Sequence, residues 1–205
     1  MVRILFFISS RRLSRWWRLT AIARLGCATV TMMSLLCSGP IDAQKKPSDQ
    51  EVEATYLLNF GKFMRHVDGY SPRPSFDICI LGRDTIGRMI DEIAATESID
   101  HHPVRVPRLA DVTGAKSCEI VFISIDEAER LREDMAILAG SNVLTVSDMP
   151  GFLDRGGMIQ FMPIESRMRF AVNLTALNRS HLSLSSELLK VAVSVNGRSP
   201  SEVQP

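Results

Sequence analysis

Apolar residues in the middle of the chain follow two spacings, one typical of helices and the other of strands. Between residues 51 and 67 they recur every three or four positions, which predicts an amphipathic helix with a wide apolar face. Residues 76–81 and 119–123 are instead short and nearly all apolar, as strands buried on both faces are. Each is followed by a helical stripe, at 86–93 and at 128–138. Strands and helices therefore alternate along this part of the chain.

The C-terminal half predicts further strands and one more helix. A run of branched apolar residues at 143–146 favours a strand, and another strand is predicted at 158–162. Apolar and polar residues alternate at 167–173, as they do in a strand with one buried and one wet face. The short polar link at 164–166 predicts that the last two strands form a hairpin. A final helix is predicted at 185–195.

A loop at 147–157 separates the first of these strands from the hairpin. Its backbone breaks are Pro150, Gly151, Gly156 and Gly157, the residue types that set or permit the dihedral angles of tight turns. We interpret these four as structural turn residues. The loop also carries an aromatic residue and several charges, and binding residues are common on such loops of a rigid scaffold.

Strands that alternate with helices through short connections are typical of the α/β class. We therefore predict a single compact α/β domain, whose mostly parallel sheet is flanked by helices and ends in a C-terminal antiparallel hairpin. A length of 205 residues fits one domain. The domain is predicted at 44–205, with its core at about 51–195.

The first 43 residues predict a signal peptide. They contain six arginines and one acid, an apolar run at 25–37 and a small-residue end near Ala43. The alternative is a single membrane anchor, but the run is shorter than the roughly 20 residues that a spanning helix needs. Removing six arginines and one acid from a chain of formal net charge +1 leaves −4. Such a charge gives no general reason to bind nucleic acid.

The sequence contains no clear motif for catalysis or for binding a metal or a cofactor. The histidines are scattered, apart from the neighbours His101 and His102, whose side chains would point apart in an extended segment. The loop at 82–87 has Asp84 where a dinucleotide-binding loop has glycine, and an acid there would repel phosphate. No nucleophile elbow is present. We therefore expect no enzyme, no metal and no cofactor.

Two cysteines, Cys79 and Cys118, remain after the predicted signal peptide. In an exported protein they are expected to form a disulfide bond, because oxidising compartments favour it. The alternative is a pair of buried free thiols.

The chain resembles the YfiR-like periplasmic proteins over roughly residues 51–195. The segments that carry the resemblance are TYLLNFGKFMRHV at 55–67, FDICILGRDTIG at 76–87, VLTVSDMPGFLDRGGMIQF at 143–161 and RMRFAVNLTALNRSHLSLSSELLKVA at 167–192. The most specific is the Asp-x-Pro-Gly-Phe sequence with the Gly-Gly pair that follows it.

The resemblance implies a periplasmic regulator with an α/β fold. The best-studied kind represses an inner-membrane diguanylate cyclase by contacting its periplasmic part, which lowers cyclic-di-GMP and biofilm formation. An outer-membrane lipoprotein that sequesters the repressor relieves this repression, as can a change of oxidation state. Cys79 and Cys118 match the family's disulfide pair, whereas Leu153 and Gln160 stand where some members have a second pair.

Two hypotheses for a binding site follow. In the first, a surface binds the cyclase or another sensor protein, and its residues are Asp148, Phe152 and Arg155 of the loop with Tyr56, Phe60 and Phe63 of the first helix. In the alternative, the protein is a periplasmic ligand carrier or sensor, with a pocket at the carboxyl ends of the strands that finish at Leu81, Ile123 and Val146. The protein could also form a homodimer.

Overall fold

A computed structural model of the protein describes residues 47–67 and 73–196. The predicted signal peptide at 1–43 lies outside the described residues. Within the described ranges, no helix is long and apolar enough to cross a membrane.

The described residues contain five α-helices: α1 Asp49–Phe63, α2 Arg88–Ala94, α3 Leu131–Leu138, α4 Leu174–Arg179 and α5 Ser186–Val191. They contain eleven strands: β1 Met64–His66, β2 Phe76–Leu81, β3 Ser98–Ile99, β4 His102–Arg105, β5 Arg108–Leu109, β6 Ile120–Ile123, β7 Leu144–Ser147, β8 Ile159–Ile164, β9 Arg167–Asn173, β10 Leu182–Leu184 and β11 Ser194–Asn196. Three 3₁₀ helices lie at Val112–Ser117, Ile125–Glu127 and Leu153–Arg155.

Nine of these strands form one sheet, and most of its pairings are parallel. Its order is β11-β9-β8-β7-β6-β2-β4-β3, with β5 also paired to β2. The central strands β2, β6, β7 and β8 are parallel neighbours, while β8 and β9 are antiparallel. These pairings confirm the predicted α/β class, the mostly parallel sheet and the C-terminal hairpin.

The central strands are buried on both sides, as their nearly continuous apolar sequences predict. Because side chains alternate along a strand, β2 sends Ile78 and Ile80 into one core cluster and Cys79 and Leu81 into another. Helices α1 and α2 cover the first face of the sheet. Helix α3 and the 3₁₀ helix Val112–Ser117 cover the second face.

The β8–β9 hairpin turns in two residues, Glu165 and Ser166. Both have positive φ, at 49° and 58°, and Ile164 is paired with Arg167 across the turn. Two consecutive residues with positive φ are the geometry that matches the twist of a two-residue hairpin.

Both ends of the described chain differ from the predicted helices. Helix α1 ends at Phe63, since Met64–His66 forms β1 and pairs with β10 in a separate two-stranded ribbon. The C-terminal helix ends at Val191, because Ser194–Asn196 joins the main sheet beside β9. Strand pairing with distant segments replaces the helical continuation that local periodicity predicts.

Candidate functional site

A disulfide bond joins Cys79 of β2 to Cys118, which lies just before β6. The two Cα atoms are 6.1 Å apart, and both residues are buried. Since β2 and β6 are neighbouring parallel strands, the bond fastens the centre of the sheet on its second face. The predicted bond is confirmed, and the alternative of two free thiols is wrong.

Phe152 is part of the core, so the expectation that it is exposed on the loop is wrong. Its exposed fraction is 0%, and it belongs to the second core cluster. The 3₁₀ helix Leu153–Arg155 folds the loop back, and the Phe152 N–H donates to Gln160 Oε1 at 3.0 Å. Gly157 passes directly over the ring, and a Cβ at this position would overlap it. The loop is thus closed over its aromatic residue.

The remaining turn residues of the loop lie nearer the surface. Pro150 and Gly156 are exposed and Gly151 is partly buried. Gly151 and Gly156 have φ of 72° and 94°, in the left-handed region that favours glycine.

The aromatic residues of α1 are also mostly internal. Phe60 is fully buried, and its ring centroid lies 5.7 Å from that of Phe161 and 5.0 Å from that of Phe170. Tyr56 is half-buried against Phe170, with the centroids 5.2 Å apart. Phe63, at the end of the helix, is 38% exposed. Phe60 is therefore unavailable to a partner, in contrast to the prediction, whereas Phe63 is accessible.

The residues proposed from the sequence do not form one surface. Phe60 belongs to the first core cluster and Phe152 to the second, so they lie on opposite faces of the sheet. The structure therefore separates the loop from the exposed end of α1.

Two carboxyl groups, those of Glu53 and Asp148, have raised pKa values. Glu53 of α1 is only 7% exposed, and burial raises its pKa to about 7, with further contributions from the negative charges of Asp148 and Asp49. Asp148 follows β7 directly, and burial raises its pKa as well. Asp148 Oδ1 is buried without a hydrogen-bond partner among the described residues.

Glu53 was not among the residues predicted to matter. It lies four positions before Leu57, on the apolar stripe of α1, and a charged residue in such a stripe was a signal available in the sequence. Asp148 lies at the carboxyl edge of the sheet, which is where the alternative hypothesis expects a ligand pocket. There the Ser147 hydroxyl donates to the carbonyl oxygen of Ile123 at 2.6 Å, which ties β7 to β6.

Arg155 lines a cleft on another part of the molecule. The cleft has a volume of about 360 Å³ and lies between α3, α4 and the 3₁₀ helix Leu153–Arg155. Arg132 of α3 and Arg179 of α4 also line it. These three arginines are far apart in the chain and follow no motif that would connect them.

The structure thus defines a disulfide-linked α/β domain whose described surface has an exposed aromatic residue at the end of α1 and an arginine-lined cleft. A sequence family described as YfiR/HmsC-like matches residues 50–193. The chain belongs to this family, whose members are periplasmic, regulatory and non-catalytic proteins.

The fold is similar to that of a solved structure, a conserved domain protein from Vibrio cholerae O1 biovar El Tor strain N16961. The TM-score is 0.53 with 11% sequence identity, and the match covers 74% of this chain and 62% of the Vibrio chain. The chain thus spans less than two thirds of that protein, and the likeness concerns the fold. No curated protein matches the sequence.

Proposed function

We propose that this protein binds the periplasmic part of an inner-membrane diguanylate cyclase and represses it, which lowers cyclic-di-GMP and biofilm formation. The observation that carries this proposal is the family match over residues 50–193. The disulfide bond supports export, since such bonds persist in oxidising compartments such as the periplasm.

Repression of this kind requires no chemistry on the part of the repressor. It requires that the protein bind one conformation of the cyclase more tightly than the other, because a ligand shifts an equilibrium only by its differential affinity. A surface with a rigid backbone suits this role, since little entropy is lost when it binds.

The ribbon formed by β1 and β10 offers such a surface. Phe63 and Val67 lie at either end of β1 and are 38% and 64% exposed. Their backbones are held in place, because the Ser185 N–H donates to Phe63 O at 3.0 Å and the Val67 N–H donates to His181 O at 2.8 Å. Exposed apolar side chains on a fixed backbone can bury apolar area against a partner with little loss of entropy. We therefore place the cyclase contact on this ribbon, with Phe63 as its anchor.

The experiment combines deletion with capture in the native bacterium. Deleting the gene should raise cellular cyclic-di-GMP, and cross-linking the tagged protein in the periplasm should capture a membrane cyclase identified by mass spectrometry. Phe63→Ser should weaken capture by about tenfold or more, the loss expected for an interface anchor. Ile164→Ser is the matched control, since Ile164 is also 38% exposed but lies at the tip of the β8–β9 hairpin.

Unchanged cyclic-di-GMP after deletion would overturn the proposed repression. Equal weakening of capture by both variants would show that the ribbon is not the contact surface, since the loss would then follow from apolar exposure in general.

A further inference from the structure

The cleft between α3, α4 and the 3₁₀ helix Leu153–Arg155, here called the arginine cleft, has one sign of charge. Its charged lining residues are Arg132, Arg155 and Arg179, and none of the described aspartates and glutamates lines it. Glu133 and Asp154 are chain neighbours of two of these arginines, yet they are exposed and do not line the cleft. Three positively charged residues therefore line one concave surface, which raises the local concentration of anions.

None of these arginines forms an ion pair among the described residues. Arg155 donates to neutral groups, with Nη2 3.1 Å from Pro150 O and Nη1 3.4 Å from Met149 Sδ. Other arginines of the domain are neutralised: Arg108 pairs with both Asp84 and Asp91 at 2.6 Å. A guanidinium group remains charged and presents a fork of donors that fits carboxylate and phosphate oxygens. The charge of the cleft therefore favours an anionic ligand.

Four residues of the lining, here called the floor of the arginine cleft, are apolar: Met135, Leu138, Met158 and Ala176. The lining also includes the polar residues Thr145, Asn173, Thr175 and Ser180. A purely inorganic anion would leave this floor uncovered, whereas a molecule with an apolar body would bury it. The volume of about 360 Å³ lies at the low end of the range for small-molecule sites, which is roughly 300–1,000 Å³.

We propose that the arginine cleft binds a small organic anion, with its phosphate or carboxylate group held by Arg132, Arg155 and Arg179 and its apolar body on the methionine-containing floor. This proposal does not depend on the proposed repression of a cyclase, because it concerns residues remote from Phe63 in the chain and a different kind of ligand.

Calorimetric titration of the purified exported protein tests the proposal with four probes. Phenyl phosphate and benzoate each combine a negative group with an apolar ring, inorganic phosphate has the charge alone, and phenol has the ring alone. We expect saturable 1:1 binding of phenyl phosphate or benzoate, weaker binding of inorganic phosphate and none of phenol. The stronger of the first two identifies the preferred anionic group, and its binding should weaken as salt is added.

Variants test whether the arginines are responsible. Arg132→Gln, Arg155→Gln and Arg179→Gln should each weaken binding by about tenfold or more, as expected for the loss of one charge-assisted hydrogen bond. Arg167→Gln is the control, since Arg167 is exposed on β9, forms no ion pair among the described residues and does not line the cleft. Thermal unfolding of each variant checks that the fold is kept.

Methyl NMR spectra of methionine locate the ligand independently. The signals of Met135 and Met158, assigned by Met→Leu variants, should shift on titration with the stronger probe. Absence of saturable binding by both organic anions would overturn the proposal. So would equal weakening by Arg167→Gln and the three cleft variants, or phenol binding as tightly as phenyl phosphate.

Discussion

Because the carboxyl group of Glu53 is buried, the stability of the folded protein should depend on pH. Burial, followed by the charges of Asp148 and Asp49, raises its pKa from the ordinary 4.5 to about 7 in the folded protein. In the unfolded chain the group returns to its ordinary value. Between pH 4.5 and 7 the folded state therefore binds more protons than the unfolded state, so stability falls as pH rises through this window.

The size of the effect follows from the same two pKa values. At roughly 1.36 kcal/mol per pH unit, a rise from 4.5 to about 7 corresponds to about 3 kcal/mol of stability lost above pH 7. Asp148 acts in the same direction, because burial raises its pKa too. Glutamine has the shape of a protonated glutamate and never ionises, so Glu53→Gln should remove the Glu53 part of this dependence.

Urea unfolding of wild type and Glu53→Gln at pH 5 and pH 8 measures the prediction. The variant should be more stable than wild type at pH 8, by up to about 3 kcal/mol, and the difference should shrink towards pH 5. Glu51→Gln removes an exposed acid from the first turn of the same helix and should cost only a few tenths of a kcal/mol. Asp148→Asn should reproduce part of the gain at pH 8. If Glu53→Gln is no more stable than wild type at pH 8, the reasoning from burial is refuted.

Three further predictions concern the second face of the sheet. Replacing Cys79 and Cys118 by alanine should lower the free energy of unfolding by about 4 kcal/mol in the chain-entropy model, for a sequence separation of 39; equal urea midpoints with and without reductant would contradict this. Gly157→Ala should lower the free energy of unfolding by about 1–3 kcal/mol, because the added Cβ would overlap the Phe152 ring. Gly114→Ala is the control and should lower it less, because its Cβ would meet only the flexible end of a leucine side chain. An equal loss in the two variants would argue against the close contact between Gly157 and Phe152. Phe152→Ala should cost about 3–5 kcal/mol in urea unfolding, and a loss below 1 kcal/mol would show that the ring is not in the core.

The sheet was predictable because its central strands carry their own signal. The segments that form β2, β6 and β7 are short runs of mostly branched apolar residues, and such runs belong between two layers of helices. Alternation in β9 and the short link at 164–166 likewise predicted the hairpin. These features depend on residues close together in the chain, which is why the class of fold followed from sequence.

The surface was harder to predict because it depends on contacts between distant residues. Phe152 looks exposed when judged by Pro150 and Gly151 beside it, yet its burial is decided by Gly157 and by the side chain of Gln160. The resemblance implies that some members of the family have a second cysteine pair where this chain has Leu153 and Gln160. Here a hydrogen bond from the Phe152 N–H to Gln160 closes the loop instead.

The end of α1 shows the same limit. Helical periodicity continues through Val67, but Met64 pairs with Leu184, a partner 120 positions later in the chain. Local propensity is weak compared with such pairing, so tertiary contacts decided the boundary. The arginine cleft depends on three helical segments that meet only in the fold, and single arginines on helices give no signal in advance.

The two candidate surfaces are joined by a short connection, and this leads to a prediction about their coupling. Arg179 ends α4, and only Ser180 and His181 separate it from β10, whose partner strand β1 follows Phe63 directly. An anion held by Arg179 would therefore act on the segment that positions the ribbon. If it favours one ribbon position, the stronger organic probe should change cyclase capture by the wild type and have less effect on Arg179→Gln. Linkage then requires that the cyclase change the affinity for the probe by the same factor. If a saturating concentration of the probe leaves the amount of captured cyclase unchanged, the two surfaces act independently.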